Sequence, residues 1–240
     1  MSGVNTSDFI GYWEAEGADY AQRGDYGWMA EQLTAGQYQQ TLRVLEIGCG
    51  VGFGSQALVK AGHNVLAVDV LHECLDVTQR RVDSEQLQVL SADLESLPDE
   101  TLQALRDYAP EAVVCWLMGA PQDMTGAVQG DAGQAVAAYR ERVHRKVAEV
   151  ASTLASCVVL HFVDRTVIPW QAKDLARDTL VRYHLGKTTL DLPWQAIRAD
   201  AMYRKMAVPD GDLAQLRKSH PALKSAVPTL ASLRMRRSGA

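Results

Sequence analysis

The sequence predicts one doubly wound α/β domain, in which helices cover both faces of a mostly parallel sheet. Three observations lead to this fold class. The chain has 240 residues, of which 47% are hydrophobic, and this is enough for one sizeable core. Between residues 43 and 163, short β-branched apolar runs alternate with longer amphipathic ones. A glycine-rich turn follows the first apolar run, as is typical of sheets that bind nucleotides.

Five of the apolar runs are predicted to be strands: VLEI, NVLAVDV, LQVLSAD, AVVCWLM and CVVLHFV. They are apolar on both faces, which is typical of parallel strands buried under crossover helices. The segments between them have helical periodicity, and the longest is a helix with apolar residues at three- and four-residue spacing over residues 136–154. Its basic residues alternate with Glu141 and Glu149, which indicates a solvated face rather than a nucleic-acid contact.

Both ends of the chain lie outside this alternation. Residues 1–40 contain two short helical patterns, at 9–20 and 25–33, and are predicted to form a helical cap. Its aromatic residues Tyr12, Trp13 and Tyr20 either form a lid over the active site or pack the cap onto the sheet. The core domain is predicted to span residues 41–206, with a weaker strand pair at 192–206. Residues 207–240 are predicted to be a C-terminal extension, partly helical, with a frayed basic tail.

The composition narrows the classes of function. A formal net charge of -5 provides no general attraction to nucleic acid or anionic lipid. The four cysteines form no CxxC pair, and the six histidines form no HxH or HExxH spacing, so no metal site is expected. The N-terminus does not resemble a secretory signal, and no segment approaches the roughly 20 apolar residues of a membrane span. We therefore expect a cytoplasmic monomer or homodimer that acts on a small molecule.

The strongest signal for a binding site is the sequence VLEIGCGVGFGS at residues 44–55. Gly48, Gly50 and Gly52 allow a tight turn and a close approach to a ligand, and the following helix offers free N–H groups. Asp69 ends the second strand, where a carboxylate can accept both hydroxyls of a ribose. Tight strand–helix turns use glycine in any case, and Asp69 or Asp93 alone could cap a helix. Their combination at one edge of the sheet predicts a nucleoside site.

Glu46 favours a positively charged nucleoside over a dinucleotide. The glycines do not complete a G-x-G-x-x-G motif, because Phe53 or Ser55 stands where the last glycine would be. Glu46 lies two residues before Gly48, where a carboxylate would repel a pyrophosphate but could orient an ammonium or sulfonium group.

The segment E-I-G-C-G-V-G, Asp69 and the S-A-D-L segment at residues 91–94 together resemble the class I methyltransferase family that uses S-adenosylmethionine. The resemblance covers residues 42–163 and implies a seven-stranded sheet of order 3-2-1-4-5-7-6 with an antiparallel last strand. It also implies S-adenosylmethionine as cofactor and S-adenosylhomocysteine as product. The residues that it would assign to the cofactor are Glu46, Gly48, Cys49, Gly50 and Gly52 for methionine, Asp69 for ribose, and Asp93 and Leu94 for adenine, with Val70 as a further cofactor contact. Trp116 either lines the adenine or methyl pocket or packs in the core.

Two residues are candidates for catalysis. Methyl transfer from a sulfonium depends mainly on positioning, but a hydroxyl or ammonium acceptor needs a base. Asp123 follows the fourth strand and is the first candidate for substrate contact or proton acceptance; the alternative is a solvated loop aspartate. His161, in an apolar strand, is a second candidate, and the alternative is a core histidine with satisfied hydrogen bonds. The sequence Met118-Gly119-Ala120-Pro121 departs from the motif of family members that methylate exocyclic amines.

These observations predict a methyltransferase that modifies an O or N atom of a small-molecule metabolite. A second hypothesis keeps the cofactor but assigns a protein or tRNA substrate, which an open groove lined by Arg177, Arg182, Lys187 and Arg198 would support. A third hypothesis is a non-catalytic nucleoside-binding protein or an NAD-dependent enzyme that uses the same loop.

Overall fold

The computed structural model describes residues 6–36, 41–119, 125, 134–207 and 225–239. The helices are α1 (Thr6–Gln22), α2 (Asp25–Thr34), α3 (Phe53–Lys60), α4 (His72–Val82), α5 (Asp99–Tyr108), α6 (Gln134–Thr153) and α7 (Lys173–Tyr183). The strands are β1 (Arg43–Ile47), β2 (Asn64–Asp69), β3 (Leu87–Ser91), β4 (Ala112–Trp116), β5 (Val159–Pro169), β6 (Trp194–Gln195), β7 (Ala201–Lys205) and β8 (Ala226–Arg237). The predicted α/β fold class is confirmed.

The sheet has the strand order 3-2-1-4-5-8, and β6 and β7 both pair with the outer edge of β8. Strands β1 to β5 are parallel, whereas β8 runs antiparallel to β5 along its whole length. The predicted order is therefore confirmed, with one difference. Two short strands, β6 and β7, share the position that the prediction assigned to one, and they pair with β8 rather than with each other.

Side chains that alternate along the strands form a separate apolar cluster on each face of the sheet. Val114, Trp116 and Val163 pack with α2 and α3 on one face. Cys115 and Phe162 pack with α6 on the other. Since both faces are covered, the strands have no polar side, which explains their continuous apolar sequences.

The cap packs directly on the core. Met29 and Leu33 of α2 are fully buried in the same cluster as Val44 of β1 and Leu58 of α3. On α1, Gly17 lies so close to Phe53 that a Cβ there would collide with the phenyl ring. Helices α1 and α2 thus form one layer with α3 beside the glycine-rich turn.

The prediction that the basic tail is frayed and lies outside the core was wrong. Residues 226–237 form β8, between β5 and the outer strands, and Leu233 and Met235 are fully buried. The Arg237 side chain donates hydrogen bonds to the carbonyls of Ala151 and Leu154 at the end of α6, at 2.7 and 2.9 Å. Such carbonyls have no partner within their own helix. The basic residues therefore have a structural role. Because they are charged, the sequence pattern did not indicate that this segment is a buried strand.

No helix in the described parts of the chain combines the length and apolar character needed to cross a membrane. In the same residues, no group of three or more His, Cys, Asp or Glu side chains is arranged to hold a metal ion.

Candidate active site

A cavity of about 400 Å³ lies at the carboxyl ends of β1, β2 and β4. Nine of the ten residues predicted to contact a cofactor line it: Glu46, Gly48, Cys49, Gly50, Asp69, Val70, Asp93, Leu94 and Trp116. Among the described lining residues, five are acids and three are bases. The cavity therefore favours a ligand with positive charge.

Gly52, the tenth predicted residue, has a different role. Its φ of +82° is in the left-handed region, and a Cβ there would lie 2.8 Å from the Cα of Thr78. Gly52 therefore allows the loop to pack against α4. From α4, Thr78 donates a hydrogen bond to the Gly50 carbonyl at 3.0 Å, and Arg81 donates one to the Val51 carbonyl at 2.7 Å. The loop is held in place before any ligand arrives.

Asp69 connects the loop to the end of β2. One of its carboxylate oxygens accepts the N–H of Gly50 at 2.9 Å, and the other accepts the N–H of Leu71 at 3.0 Å. Burial raises the pKa of Asp69, while these backbone hydrogen bonds act against the rise. Each oxygen still has a free lone pair, so the carboxylate can accept hydrogen bonds from a pair of ligand hydroxyls.

Among the described residues, Glu46 is a buried acid without a positive partner. It is 3% exposed and accepts a hydrogen bond from the Ser55 hydroxyl at 2.5 Å. A Cβ on Gly54 would collide with its Oε1, so the loop sequence makes room for the carboxylate. Burial raises the pKa of Glu46 to about 8, and the nearby charge of Asp69 adds to the rise. The group is suited either to carry a proton or to receive a cation.

The residues after β3 form another wall of the cavity. Asp93 is exposed, and its Oδ1 accepts the N–H of Glu95 at 2.9 Å, which makes a tight turn. Glu95 in turn pairs with Arg142 of α6 at 2.7 Å. Tyr139, also on α6, lines the cavity beside Arg142. A flat ligand group can therefore lie between this turn and α6.

Trp116 ends β4 and forms one wall of the cavity. Its indole N–H donates to Nδ1 of His161 at 3.1 Å, and Nε2 of His161 lies 2.7 Å from the Ser232 hydroxyl. Because Nδ1 is an acceptor, Nε2 carries the proton. His161 is fully buried and does not line the cavity, and burial lowers its pKa to about 3. This placement fits the core alternative: His161 holds Trp116 in position and stays neutral.

The aromatic residues of the predicted lid have different positions. Trp13 lines the cavity. Tyr12 is 59% exposed, and Tyr20 is buried against Tyr26 rather than in the cavity wall. Trp13 is therefore placed as the lid alternative expects, and Tyr20, on the same helix, is placed as the packing alternative expects. Asp123, the other catalytic candidate, lies outside the described residues.

Arg165 and Glu16 also line the cavity. Arg165 lies within β5, two residues beyond Val163, which pairs with Trp116 at the end of β4, and its Nη1 donates to Glu16 Oε1 of α1 at 2.5 Å. Trp13, Glu16 and Gly17 lie at spacings of three and four residues, so a helical projection of α1 could have identified this face. No local motif identifies Arg165, because its partner is distant in the sequence.

Sequence comparisons match the segment of the chain that contains the glycine-rich turn, Asp69, Asp93 and Trp116. Residues 44–124 match a family described as "Methyltransferase domain". A ubiquinone biosynthesis O-methyltransferase from Actinobacillus pleuropneumoniae serotype 7 (strain AP76) is 40% identical over 47 residues, which are 20% of this chain. The match also covers 20% of the length of that curated relative.

Two solved structures have the same fold at low sequence identity. A putative sarcosine dimethylglycine methyltransferase from Galdieria sulphuraria has a TM-score of 0.53 at 13% identity, covering 91% of this chain and 87% of its own. Magnesium protoporphyrin IX methyltransferase from Synechocystis PCC 6803, solved with bound S-adenosylmethionine, has a TM-score of 0.50 at 15% identity, with coverages of 98% and 87%. These similarities establish the fold alone.

Proposed function

We propose that this chain, which belongs to the class I S-adenosylmethionine-dependent methyltransferases, transfers a methyl group to an O or N atom of a small-molecule metabolite. The observation that carries the proposal is Glu46, a buried acid without a cationic partner in the described residues, in a cavity beside a glycine-rich turn. A pyrophosphate would gain no attraction from this acid and would oppose its ionisation, whereas an ammonium or sulfonium group would favour the ionised carboxylate and neutralise it.

The residues of the cavity fit the separate parts of the cofactor. Glu46 has the charge to hold the ammonium of the methionine portion, and the carboxylate of Asp69 has free lone pairs for two ribose hydroxyls. The turn at Asp93 and Leu94, opposite Tyr139, offers a slot for adenine. When bound, S-adenosylmethionine would supply a methyl group activated by its sulfonium, and S-adenosylhomocysteine would be the product.

The residues of this chain would act mainly by positioning and by excluding water. Trp116, held by His161, and Met118 form a buried wall at the end of β4, and Trp13 of α1 also lines the cavity. Apolar walls keep water away and orient an acceptor for in-line attack. We propose Asp123 as the group that contacts the acceptor or takes its proton.

The small-molecule assignment is supported by the cap. Helices α1 and α2 pack on α3 beside the glycine-rich turn, and Trp13, Glu16 and Gly17 of α1 line the cavity itself. A volume of about 400 Å³ is also within the range of small-molecule sites. By contrast, two of the residues suggested for a macromolecular groove, Arg177 and Arg198, pair with Asp174 and do not line this cavity.

Calorimetric titration tests the cofactor. We expect S-adenosylmethionine and S-adenosylhomocysteine to bind with about micromolar dissociation constants, and NAD to bind far more weakly, because a pyrophosphate would face Glu46. Preference for NAD would overturn the proposal. A separate titration with bulk tRNA at several salt concentrations tests the substrate class, since tight, salt-dependent binding would favour a nucleic-acid substrate instead.

A further inference from the structure

Arg165 brings a positive charge into a cavity whose lining is predominantly acidic. It is part-buried in β5, just beyond the level at which β4 ends, and in the described structure its nearest ionic partner is Glu16 of α1, at 2.5 Å. Burial acts to lower the pKa of the Arg165 guanidinium, but Glu16 and the hydroxyls of Tyr20 and Tyr12 together outweigh burial, so the pKa is raised. A guanidinium has five N–H donors, so its contacts with the Glu16 carboxylate and the hydroxyls of Tyr20 and Tyr12 leave donors for a further acceptor.

Arg165 and Glu46 are at the same end of the cavity. Nη2 of Arg165 lies 3.9 Å from the Cβ position of Gly119, just after β4, and the Cβ position of Gly54 touches both Glu46 Oε1 and the indole of Trp116, which ends β4. The other Arg that lines the cavity, Arg142, pairs with Glu95 at the β3 end. An α-amino acid group carries one ammonium and one carboxylate, so it needs an acid and a base close together. Within the described lining, the Glu46 end provides both.

We propose that Arg165 binds the carboxylate of the amino-acid portion of the cofactor, and that Glu16 occupies Arg165 until this carboxylate replaces it. The proposal rests on the proposed function, because it assigns a residue of the same cavity. Such an exchange keeps the part-buried guanidinium paired at every stage, which avoids the cost of an unpaired charge. Glu16 is part-exposed on α1 and can return to solvent.

The exchange would also loosen the cap. The Glu16–Arg165 pair joins α1 to β5, and Glu14–Arg81, at 3.2 Å, joins α1 to α4. When the ligand takes Arg165 from Glu16, α1 loses this ion pair with β5 but keeps its contact with Phe53, its pair with Arg81 and the contacts of Tyr20 and Tyr12 with Arg165.

The test compares two ligands that differ only in the carboxylate: S-adenosylhomocysteine and its decarboxylated form, which keeps the ammonium. With Arg165→Met, calorimetry should show affinity for S-adenosylhomocysteine reduced by about tenfold or more, and affinity for the decarboxylated form changed less than about twofold. With Glu16→Gln, the affinity for S-adenosylhomocysteine should increase by about threefold, because the competing carboxylate is gone, and the decarboxylated form should bind as before. Because both ligands are compared on one variant, any shared loss of folded protein cancels.

Arg142→Met is the matched control, since Arg142 also lines the cavity and also pairs with a glutamate. It should change the affinities of the two ligands by the same factor. If Arg165→Met lowers both affinities equally, or neither, the assignment is overturned. If the wild-type protein binds both ligands equally well, this inference is wrong but the proposed function is unaffected. If the wild-type protein binds neither ligand, both the inference and the proposed function are wrong. Should Arg165→Met fail to fold, Glu16→Gln decides the question alone.

Discussion

The two sides of the cavity are built in different ways. On the β1–β2 side, Glu46, Gly50 and Asp69 lie close together in the sequence, Gly50 donates its N–H to Asp69, and Ser55 of the same segment donates its hydroxyl to Glu46. On the β4–β5 side, Trp116, Arg165 and Glu16 come from segments far apart in the chain. The first side can be recognised from a motif, and the second exists only after folding. Substitutions on the first side should therefore act on the loop and cofactor, and those on the second on packing and positioning.

The largest effect is expected at the glycine-rich turn. Gly52→Ala should lower the free energy of unfolding by about 3 kcal/mol or more, because it adds left-handed strain and a Cβ 2.8 Å from the Cα of Thr78. Urea denaturation measures the change. Gly62→Ala is the control: its φ of +91° gives similar strain, but nothing lies within 4 Å of the added Cβ. A loss of about 1 kcal/mol is expected there. Equal losses of stability in the two variants would show that the contact between Gly52 and α4 does not contribute to stability.

Asp69 should have the next largest effect, on binding. Asp69→Ala is expected to weaken the binding of S-adenosylhomocysteine by about 1–3 kcal/mol, because hydrogen bonds to a charged group are lost. Calorimetry measures the change. Asp76, an exposed acid on the adjacent α4, provides the control, and Asp76→Ala should leave the affinity as it is in wild type. If Asp69→Ala binds normally, the assignment of the ribose site is incorrect.

Glu46 should make cofactor binding depend on pH. Its pKa is raised to about 8, so the ligand-free protein holds a proton there at neutral pH, and a bound ammonium favours the ionised form. Binding must therefore release a proton below about pH 8. The affinity for S-adenosylhomocysteine should rise with pH, by up to about tenfold per unit, and level off above about pH 8.

Titrations in buffers of different ionisation enthalpy would count the released protons. Glu46→Gln has no group that can titrate at this position, so its affinity should be nearly flat over the same range. A slope in Glu46→Gln equal to that of wild type would mean that another group is responsible.

The smallest effect is expected on the β4–β5 side. Ser232→Ala should reduce stability by about 1 kcal/mol, because it leaves the buried His161 Nε2–H without an acceptor. Ser96→Ala, at an exposed position, should have no effect in the same chemical denaturation experiment. Nitrogen NMR of the imidazole should show no titration of His161 between about pH 5 and pH 9, because burial lowers its pKa to about 3. A midpoint near neutral pH would return His161 to the candidates for catalysis.

Sequence patterns predicted the fold more completely than the site. The parallel core was readable because β1 to β5 are apolar on both faces and each is followed by a helix. β8 was missed, since Arg234, Arg236 and Arg237 made a buried strand look like a solvated tail. Their charges are satisfied by the carbonyls at the end of α6 and by Asp200, and neither partner is visible from the local sequence.

The sequence by itself determined the α/β fold class and the chemistry of the glycine-rich turn, because both depend on residues that are neighbours in the chain. Only the tertiary structure decided that His161 supports Trp116 from the core, that Arg165 enters the cavity beside Glu16, and that the C-terminal segment lies inside the sheet. The physical reason is that burial and pairing are properties of packed surfaces. A residue's charge and pKa depend on which distant segments cover it, and the sequence pattern around that residue does not contain this information.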